Sequence, residues 1–427
     1  MKKILFSVVL LAMAVLIGNV GVLAQKVPET VRVGIYFDGS AQETVTISAE
    51  GGVYLQCDGT DLGWLASATI SQTDKNWLIS GGAEPVVFWG QKMTVMPSAG
   101  LLKLNQKTYR GNIELVPSGN KMTVVNHLNT EEYLCGVVPL EMSTGWPIEA
   151  LKAQAVCART FVASNMNKYA DKGFDVCNTT MSQVYGGAGV EKADTTRAVQ
   201  ETAGQVIEYN GELIEALYFS TSVNHKTFNS EHVWGGKVPY LVSVPDTYQA
   251  VVKPDANAWR ATFTRAELQK IANSNNMQIG EVVDLKADYF PDGAVRKLTF
   301  IGTDGAYDAE KTKARSILGL RSQGFEIQPQ YEQGTSVVVL GATGKVQSTN
   351  PSVISSRGEL GTLSYVQSAT GVMEMNLKST IRSVVLNGTG YGHGVGMSQY
   401  GAMGMAKSGF TYDQIIKHYY TGVEITQ

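Results

Sequence analysis

The chain changes its rule of construction once, near residue 130, and that change limits what it can fold into. From Val31 to about Val125, short β-rich runs such as Val31-Arg-Val-Gly-Ile-Tyr-Phe and Lys121-Met-Thr-Val-Val alternate with Gly, Ser and Asn turns, the pattern of an all-β segment. Pro147 then stands where a first helical turn tolerates it, and Leu151, Ala155, Ala158 and Val162 recur at helical spacing. This predicts an amphipathic helix from about Pro147 to Tyr169, with Gln154 and Arg159 off the apolar stripe and able to face a cleft. Strands in one block and helices in another give an α+β fold class. The expected architecture is a β-rich N-terminal part, a mixed core with a long helix after the loop that carries Glu141, and a small β insertion before a Gly-rich C-terminal motif.

The remaining elements follow from local signals. A second helix is expected from about Asp194 to Gly204. Val206 to Phe219 reads as a hairpin, since Asn210-Gly211 between β-rich arms favours a type I′ turn, and its second arm would point Ser220-Thr-Ser222 out of a strand end. Between Trp259 and Ile327 the segment is mixed, with a short capped helix at Thr264-Arg-Ala-Glu-Leu-Gln-Lys-Ile and a strand at Val295-Arg-Lys-Leu-Thr-Phe-Ile. The run Arg315 to Leu320 is too short to assign. Thr411-Tyr-Asp-Gln414 is a capping box opening a helix through about Tyr420, stopped by Gly422. The implied divisions are 25–125 (β-rich), 126–258 (core), 259–330 (mixed), 331–386 (β insertion) and 387–427 (glycine motif and closing helix).

The ends and the charge bound the setting. Lys2 and Lys3 precede an apolar run from Ile4 to Ile17, and Val22-Leu-Ala24 offers the small residues a signal peptidase reads, so residues 1–24 read as a secretory signal with the mature chain starting near Gln25. The same run can instead stay as an N-terminal anchor. Either way the protein is expected outside the cytoplasm, secreted or at the cell wall. A net charge of −3 with no basic run lacks the electrostatic footprint of a nucleic-acid binder. In an exported protein Cys57, Cys135, Cys157 and Cys177 can oxidise, and three pairings of the four are open, as is the alternative of buried free thiols.

One acidic residue lies in an apolar setting. In Tyr133-Leu-Cys-Gly-Val-Val-Pro-Leu-Glu141-Met142, followed by Trp146-Pro147, the neighbours Pro139, Leu140, Met142 and Trp146 would desolvate Glu141 if they folded around it. Desolvation raises a carboxyl pKa and suits the group to general-acid work, whereas a glutamate near a helix start is otherwise an ordinary dipole partner.

These words belong to an ordered series: Ala153-Gln-Ala-Val-Cys-Ala-Arg-Thr, Asp175-Val-Cys-Asn-Thr-Thr-Met-Ser-Gln-Val-Tyr185, Glu201-Thr-Ala-Gly-Gln-Val, Val233-Trp-Gly and Gly392-His-Gly-Val-Gly-Met-Ser-Gln-Tyr-Gly401. From about Arg110 to the C-terminus the series resembles the SpoIID/LytB group, the stage II sporulation protein D family. The resemblance implies a lytic transglycosylase that cuts peptidoglycan glycan strands at the MurNAc–GlcNAc bond and leaves a 1,6-anhydro product, with Glu141 at the catalytic position. Gln154, Arg159, Tyr185, Ser222, His393, Ser398 and Gln399 are the candidate substrate-binding residues. The LytB branch implies the competing reading, a non-catalytic amidase enhancer that binds peptidoglycan and has a cell-wall amidase as partner.

Other chemistries were weighed. Gly388-Thr-Gly-Tyr-Gly-His393-Gly-Val-Gly carries neither the spacing of a dinucleotide fingerprint nor the Lys and Ser/Thr of a P-loop, but lets backbone approach a ligand or another strand. His393 on such a strand can bind sugar, orient the carboxyl or fill a crowded core. A cysteine nucleophile built from Cys157 or Cys177 with His393 and Asp246 has no support in spacing. Some members of the family carry Cys-x-x-x-x-Cys beside a histidine; here Met181 and Ser182 stand in their place, so no metal and no cofactor is expected. His225 and His232 read as exposed polar positions. Tyr185, Ser222, Trp234 and Tyr240 can form a sugar platform, with Trp234 the most structural of them.

Overall fold

The structure is a computed structural model that describes residues 27–73, 76–253, 257–331 and 380–427, together with the backbone of short strands between 337 and 374. The signal segment 1–24 and the start near Gln25 lie outside the described residues. The fold is α+β. Its contacts divide it into two compact units, one running to Leu217 and regaining Gly409–Lys417 and Gly422–Gln427, the other Tyr218–Ser408 with His418–Thr421.

The first unit is built on a ten-stranded sheet formed almost wholly from the β-rich block. Its long strands Thr44–Cys57, Thr60–Thr73 and Met93–Leu104 are antiparallel neighbours, and Thr30–Tyr36 pairs antiparallel with Lys121–Asn129. The one parallel pair sets Val33 and Gly34 against Val176 and Cys177. Alternation along the strands puts Val31, Val33, Ile47, Leu55, Ile70, Val95 and Leu115 into the core. Each such burial contributes roughly 1.5–3 kcal/mol.

After the sheet, this unit carries the helices α1 (Thr130–Cys135), α2 (Val138–Glu141), α3 (Ile148–Ser164) and α4 (Ala193–Glu201). The Asn129 side chain caps α1 by accepting the Glu131 amide at 2.9 Å. Helix α3 starts after Pro147 as its sequence predicts, but ends at Ser164, before the expected Tyr169, where the Asn165 side chain takes the Phe161 carbonyl at 2.9 Å. It is buried on nearly every side. Ala155, Ala158 and Val162 join the sheet core, while Thr160 accepts the Ile207 amide at 2.9 Å, so the strand Val206–Tyr209 covers a face that periodicity marks as polar.

Asn210 and Gly211 both have positive φ, 54° and 82°, as a type I′ turn requires. The second arm is shorter than expected: it ends at Leu213, and Tyr218–Phe219 instead pairs parallel with Met397–Ser398 in the second unit. Val206–Tyr209 finds its other partner in Glu424–Thr426.

The second unit carries two three-stranded antiparallel sheets. In one, Ile381–Gly388 lies between Trp259–Thr264 and Phe325–Tyr331; in the other, Val295–Gly302 lies between Val282–Tyr289 and Ala306–Glu310. Leu268, Leu285, Leu298, Phe300 and Val384 share their core. Helix α5 (Arg265–Ser274) has a full capping box between Thr264 and Glu267. The unassigned run near Arg315 falls in a short helix, Thr312–Ile317. Between 337 and 374 the backbone forms three two-stranded ladders, and Ile381–Gly388 crosses the expected boundary at 386. The closing helix, Tyr412–Tyr419, begins where the Thr411 amide meets the Gln414 side chain at 3.1 Å. Among the described residues no helix is long and apolar enough to cross a membrane.

Candidate functional site

Glu141 is the last residue of the single turn α2, which Pro139 helps to start and Met142 terminates by returning to extended backbone. It is half-buried, with Met142 beneath it buried and Pro139 and Trp146 half-buried, while Leu140 is 43 % exposed. Half-burial desolvates the carboxyl in part and leaves it reachable.

Close to it lies Tyr133, a residue of the same motif. Tyr133 is fully buried, and burial, then the charges at Cys177 and Glu141, hold its phenol protonated far above the ordinary tyrosine range. Its hydroxyl donates to Gln183 Oε1 at 3.1 Å, and Gln183 donates to the Ala158 carbonyl of α3 at 3.3 Å. Tyr185 packs on Tyr133 with ring centroids 5.1 Å apart and donates its hydroxyl to Asn126 at 2.8 Å. A Cβ on Gly136 would lie 2.5 Å from the Tyr185 ring, so glycine is needed there. A lone tyrosine in an apolar motif was the only signal for this layer.

The other acids of the region are committed. Asp194 accepts the Thr144 hydroxyl at 2.9 Å and the Gly145 amide at 2.6 Å, pinning the loop that follows Glu141. Burial works against its charge, but these bonds and the Thr195 amide outweigh it and hold the carboxyl below its usual range. Arg110 binds Glu191 through two nitrogens at 2.7 and 2.8 Å and reaches Glu132 at 3.8 Å. Arg159 grips Glu131 through two nitrogens at 2.8 and 2.6 Å and donates to the Val199 and Gln205 carbonyls.

The expectation that Gln154 and Arg159 face a cleft is not met, because both are fully buried. Helix α3 has no solvent side here, and the guanidinium spends its donors on α1, α4 and the chain after α4. Tyr185 is buried as well, its hydroxyl engaged by Asn126.

The second unit holds Ser222, His393, Ser398 and Gln399. The glycine motif is a loop rather than the expected strand, and what it approaches is the protein itself. Gly390, at φ 80°, has the Thr221 and Ser222 carbonyls 2.9 Å from where its Cβ would stand. His393 is half-buried with both ring nitrogens engaged: Nε2 donates to the Tyr218 carbonyl at 3.0 Å, and Nδ1 accepts the Val395 amide at 3.2 Å. Those partners assign the tautomer. Burial, helped by the charge on Arg315, holds its pKa down to about 4, so the imidazole is neutral at physiological pH. Trp234, 48 % exposed, packs its ring 5.2 Å from His393 and gives this surface an aromatic face.

Ser222 and Ser398 are wholly buried. The Ser222 amide donates to Gln249 Oε1 at 2.7 Å, the two hydroxyls lie 3.1 and 3.4 Å from the same oxygen, and Ser398 caps helix α6 (Gln399–Lys407) through the Gly401 amide. Asp246 closes this cluster by accepting the Tyr419 hydroxyl at 2.6 Å; burial raises its pKa against the pull of Tyr419, Ser222 and Ser398. Gln399 is 8 % exposed. The histidines read as exposed polar positions are neither: His225 is half-buried, and His232 is paired with Asp292.

All four cysteines are buried free thiols. Cys177 tests the metal question. Ser182 Oγ lies 3.5 Å and Thr179 Oγ1 3.2 Å from its sulfur, with the Tyr169 hydroxyl at 3.9 Å. Burial opposes its ionisation, but these hydroxyls outweigh burial and lower the thiol pKa. Met181, 62 % exposed, brings no ligand. Hydroxyls stand where a closed thiolate site needs Cys or His, so the set does not fit zinc. Protein purified without chelator is expected to carry less than about 0.1 equivalent of zinc by mass spectrometric metal analysis; one tightly held equivalent would contradict this.

Comparison with known proteins agrees with the motif series. The profile of the SpoIID family, Stage II sporulation protein, matches residues 118–209, which hold Glu141, Tyr133 and α3. Stage II sporulation protein D of Bacillus subtilis is 33 % identical over 318 residues, covering 71 % of this chain and 76 % of that protein. The amidase enhancer of Bacillus subtilis is 31 % identical over 315 residues, 69 % of this chain but 40 % of that longer protein. An uncharacterized protein of Brachyspira hyodysenteriae is 34 % identical over 325 residues, 75 % of this chain and 73 % of its own length. The chain belongs to the stage II sporulation protein D family.

Proposed function

We propose that this protein is a peptidoglycan lytic transglycosylase acting at the cell wall, with Glu141 as its single acid and base. The observation that carries the reading is the setting of Glu141, a half-buried carboxyl that ends a one-turn helix on the family-matched segment, next to the exposed Leu140. Glu141 protonates the glycosidic oxygen between the muramyl and glucosaminyl sugars. It then takes the proton of the muramyl 6-hydroxyl as that oxygen closes on the anomeric carbon. No water enters, so the paired carboxylates of an ordinary glycosidase are not required.

Purified protein and denuded glycan strands are expected to give products with 1,6-anhydro muramyl ends, lighter by one water than hydrolytic products. Reaction in heavy-oxygen water should leave them unlabelled. Labelled reducing ends would mean that a second acid activates water, which would sink the transglycosylase assignment while sparing Glu141.

A second reading is favoured by the 31 % identity to an amidase enhancer. In it Glu141 orients a binding loop and the protein stimulates a cell-wall amidase. No glycan cleavage together with stimulation of added amidase would support that reading.

A further inference from the structure

In the second unit, a histidine is held in one orientation beside a cavity of mixed charge. His232 Nδ1 lies 2.6 Å from Oδ2 of the buried Asp292, which also accepts the Asn229 and Ala294 amides at 3.3 and 3.2 Å. Phe290 stacks flat on the imidazole, 4.0 Å between centroids and 7° between planes. A carboxylate on Nδ1 holds a proton there, so that in the neutral ring Nε2 is the acceptor. Nε2 makes no hydrogen bond among the described residues.

His232 lines a cavity of about 570 Å³ whose walls also carry Glu231, Glu310, Arg296, Lys297 and Lys311. Arg296 is paired with Asp288, and Lys297 with Asp288 and Asp308. Lys311 has no acidic partner among the described residues, and its ammonium stands 3.1 Å from where a Cβ on Gly235 would be, so the glycine gives it room. The cavity therefore presents an ammonium without an acidic partner together with an imidazole acceptor and two carboxylates.

We propose that this cavity binds a short zwitterion, a free amino acid or a dipeptide. Its carboxylate pairs with Lys311, and its ammonium is shared by His232 Nε2 and the Glu231 and Glu310 carboxylates. A ligand of one sign meets repulsion from half of these groups, and a dianion such as phosphate meets it from both glutamates. The site goes beyond the glycan-cleaving reading and does not depend on it.

The test follows the His232 ring signals by NMR, in protein carrying nitrogen-15 histidine, while alanyl-alanine is added to about 10 mM, a range that captures millimolar dissociation constants. The expected result is a saturable shift of His232, weakened at least about tenfold when either terminus is blocked by acetylation or amidation, and absent with inorganic phosphate. Lys311→Met removes the ammonium, keeps the length of the side chain and leaves a non-glycine residue at the positive φ of 51°, as in the native protein. It is expected to weaken dipeptide binding about tenfold with an unchanged circular dichroism spectrum, as is Glu231→Gln. Equal binding of the blocked peptides, preference for phosphate, or no shift of His232 would overturn the proposal. Glycan cleavage measured on the same samples is expected to be unaffected by either substitution, so failure here and failure at Glu141 are told apart.

Discussion

Exchanging Glu141 for glutamine is expected to lower glycan cleavage about 10²–10⁴-fold, the usual contribution of a positioned acid, with an unchanged melting temperature. Glutamine keeps the size and hydrogen-bonding reach of the side chain and loses only the proton that moves. The residue ends a one-turn helix and is half-buried. Glu141→Asp draws the carboxyl back by one methylene and is expected to fall between wild type and the amide, since misplacement of a catalytic group is itself costly. Wild-type turnover from the amide would remove Glu141 from the mechanism. A drop of less than about tenfold, with an added amidase still stimulated, would move the protein to the enhancer reading.

Arg159→Ala is expected to destabilise the first unit by about 3–5 kcal/mol, the range for breaking a buried ion pair by deleting one partner. The guanidinium is wholly buried, and its loss leaves Glu131 with the Gly204 amide and solvent, two backbone carbonyls without their donor, and the space the side chain fills. Arg159→Lys keeps the charge but not the planar fork that meets both Glu131 oxygens, and should lie between the two. Thermal unfolding of both variants measures this. If the lysine variant kept its melting temperature and lost glycan cleavage, Arg159 would have to act on substrate, the role its place in the motif first suggested.

Much of the local structure was legible because it is set by neighbours in sequence. Pro147 marked the start of α3, Thr264 and Glu267 the cap of α5, and Asn210-Gly211 a turn that needs two positive φ values. The segment holding Glu141 was legible for the same reason, since one carboxyl among Pro139, Leu140, Met142 and Trp146 is visible without any fold. Its supporting layer was not. Tyr133 and Gln183 are 50 positions apart and meet only when the chain after α3 returns to α1.

The candidate binding residues show where reading by period stops. A helical stripe identifies the face that must be buried, but does not say whether the opposite face meets water or another element. For α3 that face is covered, so Gln154 and Arg159 turned inward. Ser222 and Ser398, polar in sequence, became the buried partners of Gln249, and His232, apparently a surface residue, was claimed by an aspartate 60 positions away.

The sequence by itself determined the α+β class, the placing of the main helices, the family and the segment that carries Glu141, because these depend on spacing and on residues close together in the chain. The tertiary structure alone decided which polar side chains are spent on holding the fold and which stay reachable. Burial and ion pairing depend on long-range contacts that bring Glu131 to Arg159, Asp246 to Tyr419 and Asp292 to His232.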